Sequence, residues 1–235
     1  MIIWSLFDSG NGCYKTVADR LGYENYSIGL DIENKNDHFI HLNLADYGYI
    51  FGDNTLWDTL DTLPAPDLII ASPPCESWSV ASAMEGGNAC WKQDSINTLF
   101  GEMKGGRFTI RKYDDYGKYN PDRAIFTRLN GELTVNNTIR IIRRYKPKVW
   151  VIENPAHGRI WEYIEDYTGF KLPHRNQTFY SDYGFSYMKP TGFASNLFLN
   201  LSREREGSKI SWGDVHGYNN RSNIPEPLIE DIFKT

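Results

Sequence analysis

Short apolar runs separated by helical segments constrain the fold of this 235-residue chain more than any other feature. Such runs are typical of strands that are buried on both faces of a parallel sheet. Between several of them, apolar residues recur at the spacing of a helix that packs on a sheet. The apolar runs lie at 2–7, 26–31, 68–72 and 149–153, and the helical segments at 13–22, 54–63 and 135–145. This alternation predicts an α/β fold.

The rest of the chain predicts one catalytic domain over residues 1–235 with a large insertion. Residues 180–201 form short aromatic-rich segments, which we interpret as later strands at the edge of the sheet. The segment "IPEPLIEDIF" at 224–233 predicts a terminal helix with a proline in its first turn. Residues 84–130 show no clear period and are interpreted as the insertion, and 202–223 as a short polar loop.

The hydropathy pattern predicts no membrane span, because no apolar run approaches 18 residues. The first residues, "MIIWSLFDSG", lack the basic flank and cleavage site of a secretory signal and are interpreted as a first buried strand. We therefore expect a cytoplasmic location, in a bacterial or a phage-infected cell.

The three cysteines, Cys13, Cys75 and Cys90, include no Cys-x-x-Cys pair. This odd set argues against a disulfide framework and against a four-cysteine zinc site. His38 and His41 face opposite sides of an extended segment, so we do not expect them to bind one metal ion. The sequence therefore predicts no metal site.

The net charge of −5 neither indicates nor excludes a nucleic-acid partner. Residues 102–128 differ from the rest, since they carry seven Lys or Arg against four Asp or Glu, interleaved with aromatic residues. Basic and aromatic side chains together suit phosphates and bases. A solvated insertion with a few packed rings would show the same pattern, so both interpretations stay open.

Two strand ends suggest a nucleotide-like ligand, because ligands of a parallel sheet bind at the carboxyl ends of its strands. After the first strand, small residues in "FDSGNG" let backbone amides approach a ligand at a helix N-terminus, although any tight turn into a helix looks similar. Asp31 follows the second strand, 19 residues beyond Gly12, and an acidic residue there suits ribose hydroxyls. Asp46 is a candidate for an adenine amino group or simply an exposed turn residue.

The strand at 68–72 ends in "SPPC", where Pro73 and Pro74 restrict the backbone and place Cys75 at the tip of a stiff arm. A thiolate at such a position suits addition to an electron-poor ring carbon. The strand at 149–152 leads into Glu153 and Asn154, and a carboxylate at the end of an apolar strand is costly unless it is paired or used. Glu153 as an acid to a ring nitrogen and Cys75 as a nucleophile form a coherent pair.

These motifs resemble those of the DNA (cytosine-5) methyltransferases, especially the small members found in phages and prophages. The resembling segments are "LFDSGNG" for the methyl-donor loop, "GLDIE" for the ribose-binding turn, "SPPCESWSVA" for the nucleophile, "VIENP" for the Glu-Asn motif, and "YGFSYMKPTGFASN" and "IPEPL" for the later motifs. The resemblance covers most of the chain.

The resemblance implies a Rossmann-like, doubly wound sheet of the class I methyltransferases, with S-adenosylmethionine as donor, S-adenosylhomocysteine as product and a flipped-out cytosine of DNA as acceptor. It implies that Cys75 adds to carbon 6 and that Glu153 holds the ring nitrogen, with Asn154 beside it. The residues implied at the cofactor are Phe7, Asp8, Ser9, Gly10, Asn11, Gly12, Asp31, Ile32, Asp46 and Pro73. An orphan enzyme that protects phage DNA from restriction would fit this reading.

The chain departs from the family pattern in three places. "YMKPTGF" replaces the usual Arg-x-Arg pair, so Lys189 is the candidate cation of the active site, as a point charge without the arginine fork. Pro155 stands where many members have valine. Only about forty residues separate Tyr183 from Pro225, where larger members hold their target-recognition region, so either recognition is minimal or 84–130 supplies it.

Two other functions stay open on the sequence alone. One is a catalytically idle module on the same fold that binds DNA or another protein. The other is a methyltransferase acting on an exocyclic amino group, whose motif usually resembles "PPW" or "PPY" and needs no cysteine, so "PPC" counts against it. Protein partners are not predicted by any motif.

Overall fold

The computed structural model describes residues 1–8, 12–30, 36–80, 90–98, 101–116, 121–202, 210 and 223–235. Its strands are β1 Ile2–Leu6, β2 Glu24–Gly29, β3 Phe39–His41, β4 Leu68–Ala71, β5 Trp91–Thr98, β6 Gly101–Ile110, β7 Val149–Pro155, β8 His174–Phe179 and β9 Pro190–Ser195. Its helices are α1 Cys13–Leu21, α2 Thr55–Asp61, α3 Pro121–Tyr145, α4 Ile160–Glu162, which continues as a π-helical turn to Tyr167, and α5 Glu226–Phe233.

Seven strands form a central sheet in the order β3-β2-β1-β4-β7-β9-β8. The first five are parallel, and β9 runs antiparallel to β7 and β8 on either side of it. The chain adds β2 and β3 on one side of β1 and the later strands on the other, so the direction of winding reverses beside β1. A ligand crevice is expected at the carboxyl ends of the strands next to this point.

Helices cover both faces of the sheet, which confirms the predicted doubly wound α/β fold. On one face, α2, α3 and α4 pack against alternate strand residues such as Trp4, Ile69 and Ile152. On the other face, α1 and α5 pack against the intervening residues, among them Ile70 and Val151. Burial on both faces explains why these strands appear in the sequence as continuous apolar runs.

The turn between β1 and α1 depends on one glycine. Gly12 precedes the helix with φ of 76°, in the left-handed region that side chains with a Cβ rarely adopt. Its carbonyl accepts the first helical hydrogen bond, from the Thr16 N–H at 2.9 Å. Gly12 thus lets the chain turn sharply from the sheet edge into α1.

The predicted insertion consists of two different parts. Residues 91–110 contain an antiparallel hairpin of β5 and β6 with one irregularity between Gln93 and Ser95. The helix predicted at 135–145 begins much earlier, at Pro121, so 121–130 belongs to α3. The period was hidden because this half of α3 exposes apolar residues, with Phe126 69% accessible.

The edge of the sheet also differs from the prediction of strands within 180–201. β9 lies inside that range, but β8 begins earlier, at His174, and has the polar sequence "HRNQTF". β8 is an edge strand in which alternate side chains are exposed, so it lacks an apolar run. The terminal helix prediction is confirmed by α5, which is packed against α1.

Within the described ranges, no helix combines the length and the apolar character that a membrane span requires. The predicted polar loop at 202–223 lies outside the described residues except for Ser202, Ile210 and Asn223.

Candidate active site

The proline arm after β4 presents Cys75 at the carboxyl edge of the sheet. Ser72 continues the strand, and its N–H donates to the Leu6 carbonyl at 3.1 Å. Pro74 is extended, with φ of −50° and ψ of 122°, and Cys75 opens a short 3₁₀ turn to Ser77. The Cys75 carbonyl accepts hydrogen bonds from the next turn, including the Trp78 N–H at 3.0 Å. The arm ends with an exposed cysteine.

Glu153 lies beside this arm, near the end of β7. β4 and β7 pair Ala71 with Ile152, so the next residues, Ser72 and Glu153, are neighbours on one face of the sheet. Glu153 is only 8% accessible to solvent. Burial raises the pKa of the Glu153 carboxyl, whereas the charge of Lys189 and the hydroxyls of Ser72 and Tyr180 lower it.

Cys75, Glu153 and Lys189 interact electrostatically. Burial of the thiol raises the pKa of Cys75, although part of the residue reaches the surface, and the negative charge of Glu153 raises it further. The positive charge of Lys189 lowers it. Lys189 also stabilises the charged form of Glu153, so one cation acts on both groups. The three residues predicted at the chemical centre therefore come together at one strand edge.

Asn154 supports the arm from the opposite face of the sheet. Consecutive strand residues point to opposite faces, so Asn154 points away from Glu153. Its Nδ2 donates to the Pro73 carbonyl at 2.8 Å, which ties β7 to the proline arm. Its Oδ1 is buried without a hydrogen-bond partner. In this arrangement Asn154 positions Cys75, and Pro73 serves as the acceptor that holds the arm.

Three hydroxyl groups near Glu153 are absent from the sequence prediction. The Tyr14 hydroxyl on α1 lies 3.1 Å from the Ser72 Oγ. The Tyr180 side chain is completely buried, and its hydroxyl faces Glu153 but has no partner at hydrogen-bonding distance. Ser72 had a sequence signal, because it precedes the two prolines on the same sheet face as Glu153. The tyrosines had none, since each comes from a distant segment.

The predicted donor loop is described at its two ends. Phe7 has φ of 63°, which turns the chain out of β1, and the buried Asp8 follows it. Asp8 Oδ2 accepts a hydrogen bond from the Ser27 hydroxyl at 2.5 Å, while Oδ1 is buried without a partner. Burial, followed by the charge of Asp8, raises the pKa of Cys13 to about 12. The predicted residues outside the described ranges are Ser9, Gly10, Asn11, Asp31 and Ile32.

Asp46 lies after β3, in a turn that α3 fixes. One of its carboxylate oxygens accepts a hydrogen bond from the Gly48 N–H at 3.0 Å. Asn137 of α3 donates to the Asp46 carbonyl at 2.7 Å and to the Leu44 carbonyl at 2.9 Å. This turn is therefore rigidly attached to the helix, with a half-buried carboxylate at its start.

The base of the hairpin is attached to the active-site side of the sheet through Trp91, another contact without a sequence signal. The guanidinium carbons of Arg128 on α3 and Arg159 each lie 5.1 Å from the centroid of the Trp91 ring. The backbone N–H of Arg159 donates to the Trp78 carbonyl at 2.8 Å, and Trp78 directly follows the turn from Cys75 to Ser77. Arg111 is buried and its Nε donates to the Trp91 carbonyl at 3.2 Å.

Neither a family model nor a curated protein gives a significant match to this chain. Among solved structures, it is similar to a protein of E. coli described as a DNA modification methyltransferase encoded within a prophage. The two chains share 15% sequence identity, and the TM-score is 0.44. The match covers 83% of this chain and 46% of the other, so this chain spans about half the length of that structure.

Proposed function

We propose that this chain is an S-adenosylmethionine-dependent DNA (cytosine-5) methyltransferase with a single catalytic domain over residues 1–235. The observation that carries the proposal is the cluster of Cys75, Glu153 and Lys189 at the carboxyl edge of the sheet. Burial raises the pKa of Cys75 and of Glu153, and the charge of Lys189 lowers both. A nucleophile, a carboxylic acid and a cation at one site suit attack on a protonatable ring. A purely structural carboxylate would not need to be buried there.

The role of Cys75 is to activate carbon 5 of the cytosine. Its thiolate forms a bond to carbon 6, which moves electron density to carbon 5, where the new bond to the methyl carbon forms. Solvent then takes the proton from carbon 5, and the bond between sulfur and carbon 6 breaks, so that the thiolate and an aromatic 5-methylcytosine are restored. Asn154 contributes by holding the Pro73 carbonyl, which keeps the arm in place.

The role of Glu153 is to hold a proton at the ring nitrogen, atom N3. Burial raises its pKa and so favours the protonated acid that this step requires. Lys189 replaces the paired arginines of the family and stabilises the Cys75 thiolate as a single point charge. One cation for two acidic groups means that the ionisation of Cys75 and Glu153 is coupled.

The described end of the donor loop fits a cofactor with an amino-acid group. Asp8 Oδ1 is buried and unpartnered at the carboxyl end of β1, which suits a cationic donor such as the α-ammonium group. Asp8 and the loop 7–12 would hold this end, Asp31 and Ile32 the ribose, and Asp46 the adenine. When bound, S-adenosylmethionine supplies an electrophilic methyl group and leaves as S-adenosylhomocysteine.

Asp31→Ala should weaken binding of S-adenosylmethionine by about tenfold to a hundredfold. The reason is the loss of hydrogen bonds from ribose hydroxyls to a carboxylate, which are stronger than neutral ones at about 1.5–3 kcal/mol each. Isothermal titration calorimetry with the donor measures the change. Asp37→Ala is the matched control, because Asp37 is exposed and, among the described residues, forms its ion pair with Lys15. Equal affinity of Asp31→Ala and wild type would contradict the ribose assignment.

We further propose that the hairpin of β5 and β6 contacts DNA and selects the target site. Residues 102–128 carry seven Lys or Arg against four Asp or Glu, in a chain with a net charge of −5. Trp91 attaches the base of this hairpin to Arg128 and Arg159, and so to the side of the sheet that carries Cys75. DNA bound along the hairpin would therefore pass close to the proposed nucleophile.

Charge reversal at Arg107 and Lys112 together should weaken DNA binding and flatten its dependence on salt. Each lost phosphate contact lowers the slope of log affinity against log salt by about one. Arg111 is unsuitable for this test because it is buried against Trp91, so its reversal would disturb the hairpin itself. Fluorescence anisotropy at several salt concentrations measures the slope. Lys171→Glu, at the opposite edge of the sheet, is the control. An unchanged slope of log affinity against log salt in the double variant would show that another surface recognises DNA.

Transfer of labelled methyl groups from S-adenosylmethionine into DNA tests the proposed activity. After digestion to nucleosides, chromatography should show the label in 5-methylcytosine. Label in N4-methylcytosine or N6-methyladenine would show an exocyclic amino acceptor and overturn the proposal. Absence of label with every DNA of mixed sequence, while the protein still binds DNA, would favour the idle module.

A further inference from the structure

We propose that Tyr14, Ser72 and Tyr180 form a hydroxyl cage that orients the Glu153 carboxyl group towards the ring nitrogen of a bound cytosine. This inference rests on the proposed function and assigns three positioning residues, of which Ser72 lies in the nucleophile motif and the two tyrosines lie outside the motifs. In this chain the cage compensates for the missing arginine pair.

The sheet register brings the cage together around one carboxyl group. Ser72 and Glu153 follow the last paired residues of β4 and β7, so their side chains lie on the same face. That face is covered by α1, which contributes Tyr14, and by the segment after β8, which contributes Tyr180. Glu153 is thus enclosed by hydroxyls from three separate parts of the chain.

The direction of the hydrogen bonds from Tyr14 follows from their chemistry. Ser72 and Glu153 are neighbours on one face of the sheet, and the Ser72 hydroxyl lowers the pKa of Glu153. Its single proton therefore points to the charged carboxylate, which accepts hydrogen bonds only. The Ser72 oxygen then accepts from the Tyr14 hydroxyl, 3.1 Å away. Burial raises the pKa of Tyr14 well above its usual value, which keeps its proton available for this bond. Tyr14, Ser72 and Glu153 form a short polarised chain.

Tyr180 completes the cage from the other side. Its pKa is raised by burial and by the charge of Glu153, so it stays a donor. The hydroxyl lacks a partner at bonding distance, and a small movement of Glu153 towards it would make the bond. Lys189 Nζ lies 4.7 Å from the centroid of the Tyr180 ring, so the same tyrosine supports the cation.

Packing alone does not explain these tyrosines. Tyr14 stacks on Phe233 and Tyr180 packs edge-on against Phe185, contacts that phenylalanine would make equally well. A buried hydroxyl costs free energy unless it is hydrogen bonded, and the Tyr14 hydroxyl meets Ser72 at 3.1 Å, while the Tyr180 hydroxyl faces Glu153 and Thr191. The hydroxyls therefore serve the carboxyl group rather than the core.

Other charged and titratable groups lie around the cage. Their charges also affect the pKa that a titration of Glu153 measures. Among the described residues, they are Cys75 on the arm, Cys13 and Asp8 beside Tyr14, and Lys189 beside Tyr180. Burial opposes ionisation of Glu153, whereas Lys189 and the hydroxyls of Ser72 and Tyr180 favour it. Removal of a cage hydroxyl should therefore shift the carboxyl titration to higher pH.

Carbon-13 NMR of the full-length protein labelled at the glutamate carboxyl groups tests the cage directly. Glu153→Gln identifies the signal of Glu153. Ser72→Ala and Tyr180→Phe should each raise its pKa by about one unit, and Tyr14→Phe by about half a unit because it acts through Ser72. Ser72→Thr keeps the hydroxyl and should keep the wild-type titration. Tyr183→Phe is the matched control, since its hydroxyl bonds Asp231 at 2.8 Å instead.

The same variants in the methyl-transfer assay separate the cage from the proposed function. If the high-pH limb of the rate profile shifts upward together with the Glu153 titration, both are supported. If the titration shifts but no 5-methylcytosine forms with wild type, the proposed function fails and the cage stands as an electrostatic device. If Ser72→Ala, Tyr180→Phe and Tyr14→Phe all titrate like Tyr183→Phe, the cage is overturned whatever the activity.

Discussion

Cys75→Ser protein is expected to form no covalent complex with DNA that contains 5-fluorocytosine, whereas wild-type protein with S-adenosylmethionine forms one that survives denaturation. Fluorine at carbon 5 cannot leave as a proton, so elimination of the Cys75 sulfur stalls after methyl transfer. A serine hydroxyl is a far poorer nucleophile at neutral pH. Methyl transfer to ordinary DNA should fall by about a thousandfold or more. Denaturing gel electrophoresis and mass spectrometry of the linked peptide measure the covalent complex, and transfer of labelled methyl groups into ordinary DNA measures the rate.

The pH dependence of this capture follows from the environment of the thiol. The pKa of Cys75 is raised by burial and by Glu153, so at neutral pH most of the free protein carries the protonated thiol. The thiolate fraction grows as pH increases towards that raised pKa. Capture by wild-type protein should therefore accelerate between neutral and mildly alkaline pH, until loss of the Glu153 proton limits it.

The other two cysteines provide internal controls for the capture. Cys13 has a pKa of about 12, and Cys90 is buried under the base of the hairpin. Neither cysteine is suited to act as a nucleophile. Cys13→Ser and Cys90→Ser proteins should therefore form the covalent complex with 5-fluorocytosine DNA as wild type does. Capture that persists in Cys75→Ser and disappears in either control would refute the assignment of Cys75.

The fold was predictable where burial leaves a strong pattern. The strands β1, β4 and β7 are covered on both faces, so their apolar runs are visible in the sequence. The predicted second strand starts and ends two residues earlier in the structure, at Glu24–Gly29. β8 was missed because an edge strand needs few apolar residues, and the first half of α3 because it exposes apolar residues such as Phe126.

Gly131 shows why that half of α3 has no regular pattern. A Cβ atom at this position would lie 2.7 Å from the Ser77 Cβ, so only glycine lets the helix approach the cysteine turn this closely. One turn earlier, Arg128 faces Trp91 rather than an apolar neighbour. A helix that meets a turn, a hairpin and solvent on different faces cannot show one apolar stripe.

Among the proposed site residues, Cys75, Glu153 and Lys189 could be identified from the sequence, whereas the tyrosine hydroxyls near Glu153 could not. Each of these three residues lies next to a strand end or a proline, and both features can be recognised in the local sequence. The hydroxyls of Tyr14 and Tyr180 act through space, from segments more than 160 residues apart in the chain. Their function depends on the sheet register, which local patterns do not contain.

In the proposed enzyme, Lys189 is a single cation at a place where the family that the motifs resemble has two arginines. It lowers the pKa of Cys75 and of Glu153, but it cannot make the forked hydrogen bonds of a guanidinium. The orientation of Glu153 must then come from other donors. The hydroxyls of Ser72 and Tyr180 are such donors, which links the departure from the family pattern to the proposed cage.

Glu153→Gln is expected to slow methyl transfer by about a hundredfold to ten-thousandfold while leaving DNA affinity nearly unchanged. This range is the one by which general acid catalysis typically accelerates a reaction. Glutamine has nearly the same shape and can still donate a hydrogen bond to the ring nitrogen, but it cannot supply a proton. The loss should therefore appear in kcat rather than in KM, as for an interaction made only in the transition state. Single-turnover kinetics and anisotropy measure the two effects.

The reactivity of Cys75 in Glu153→Gln should increase, although methyl transfer by this variant slows. The negative charge of Glu153 raises the pKa of Cys75, so its removal should lower that pKa and increase the rate of Cys75 alkylation by iodoacetamide at neutral pH. A merely unfolded variant would instead also expose Cys13 and Cys90 to alkylation. Glu162→Gln is the matched control, because Glu162 is exposed and pairs with Arg159. Slower transfer together with a more reactive Cys75 identifies Glu153 as an acid that acts on the substrate, and unchanged transfer in Glu153→Gln would remove it from the mechanism.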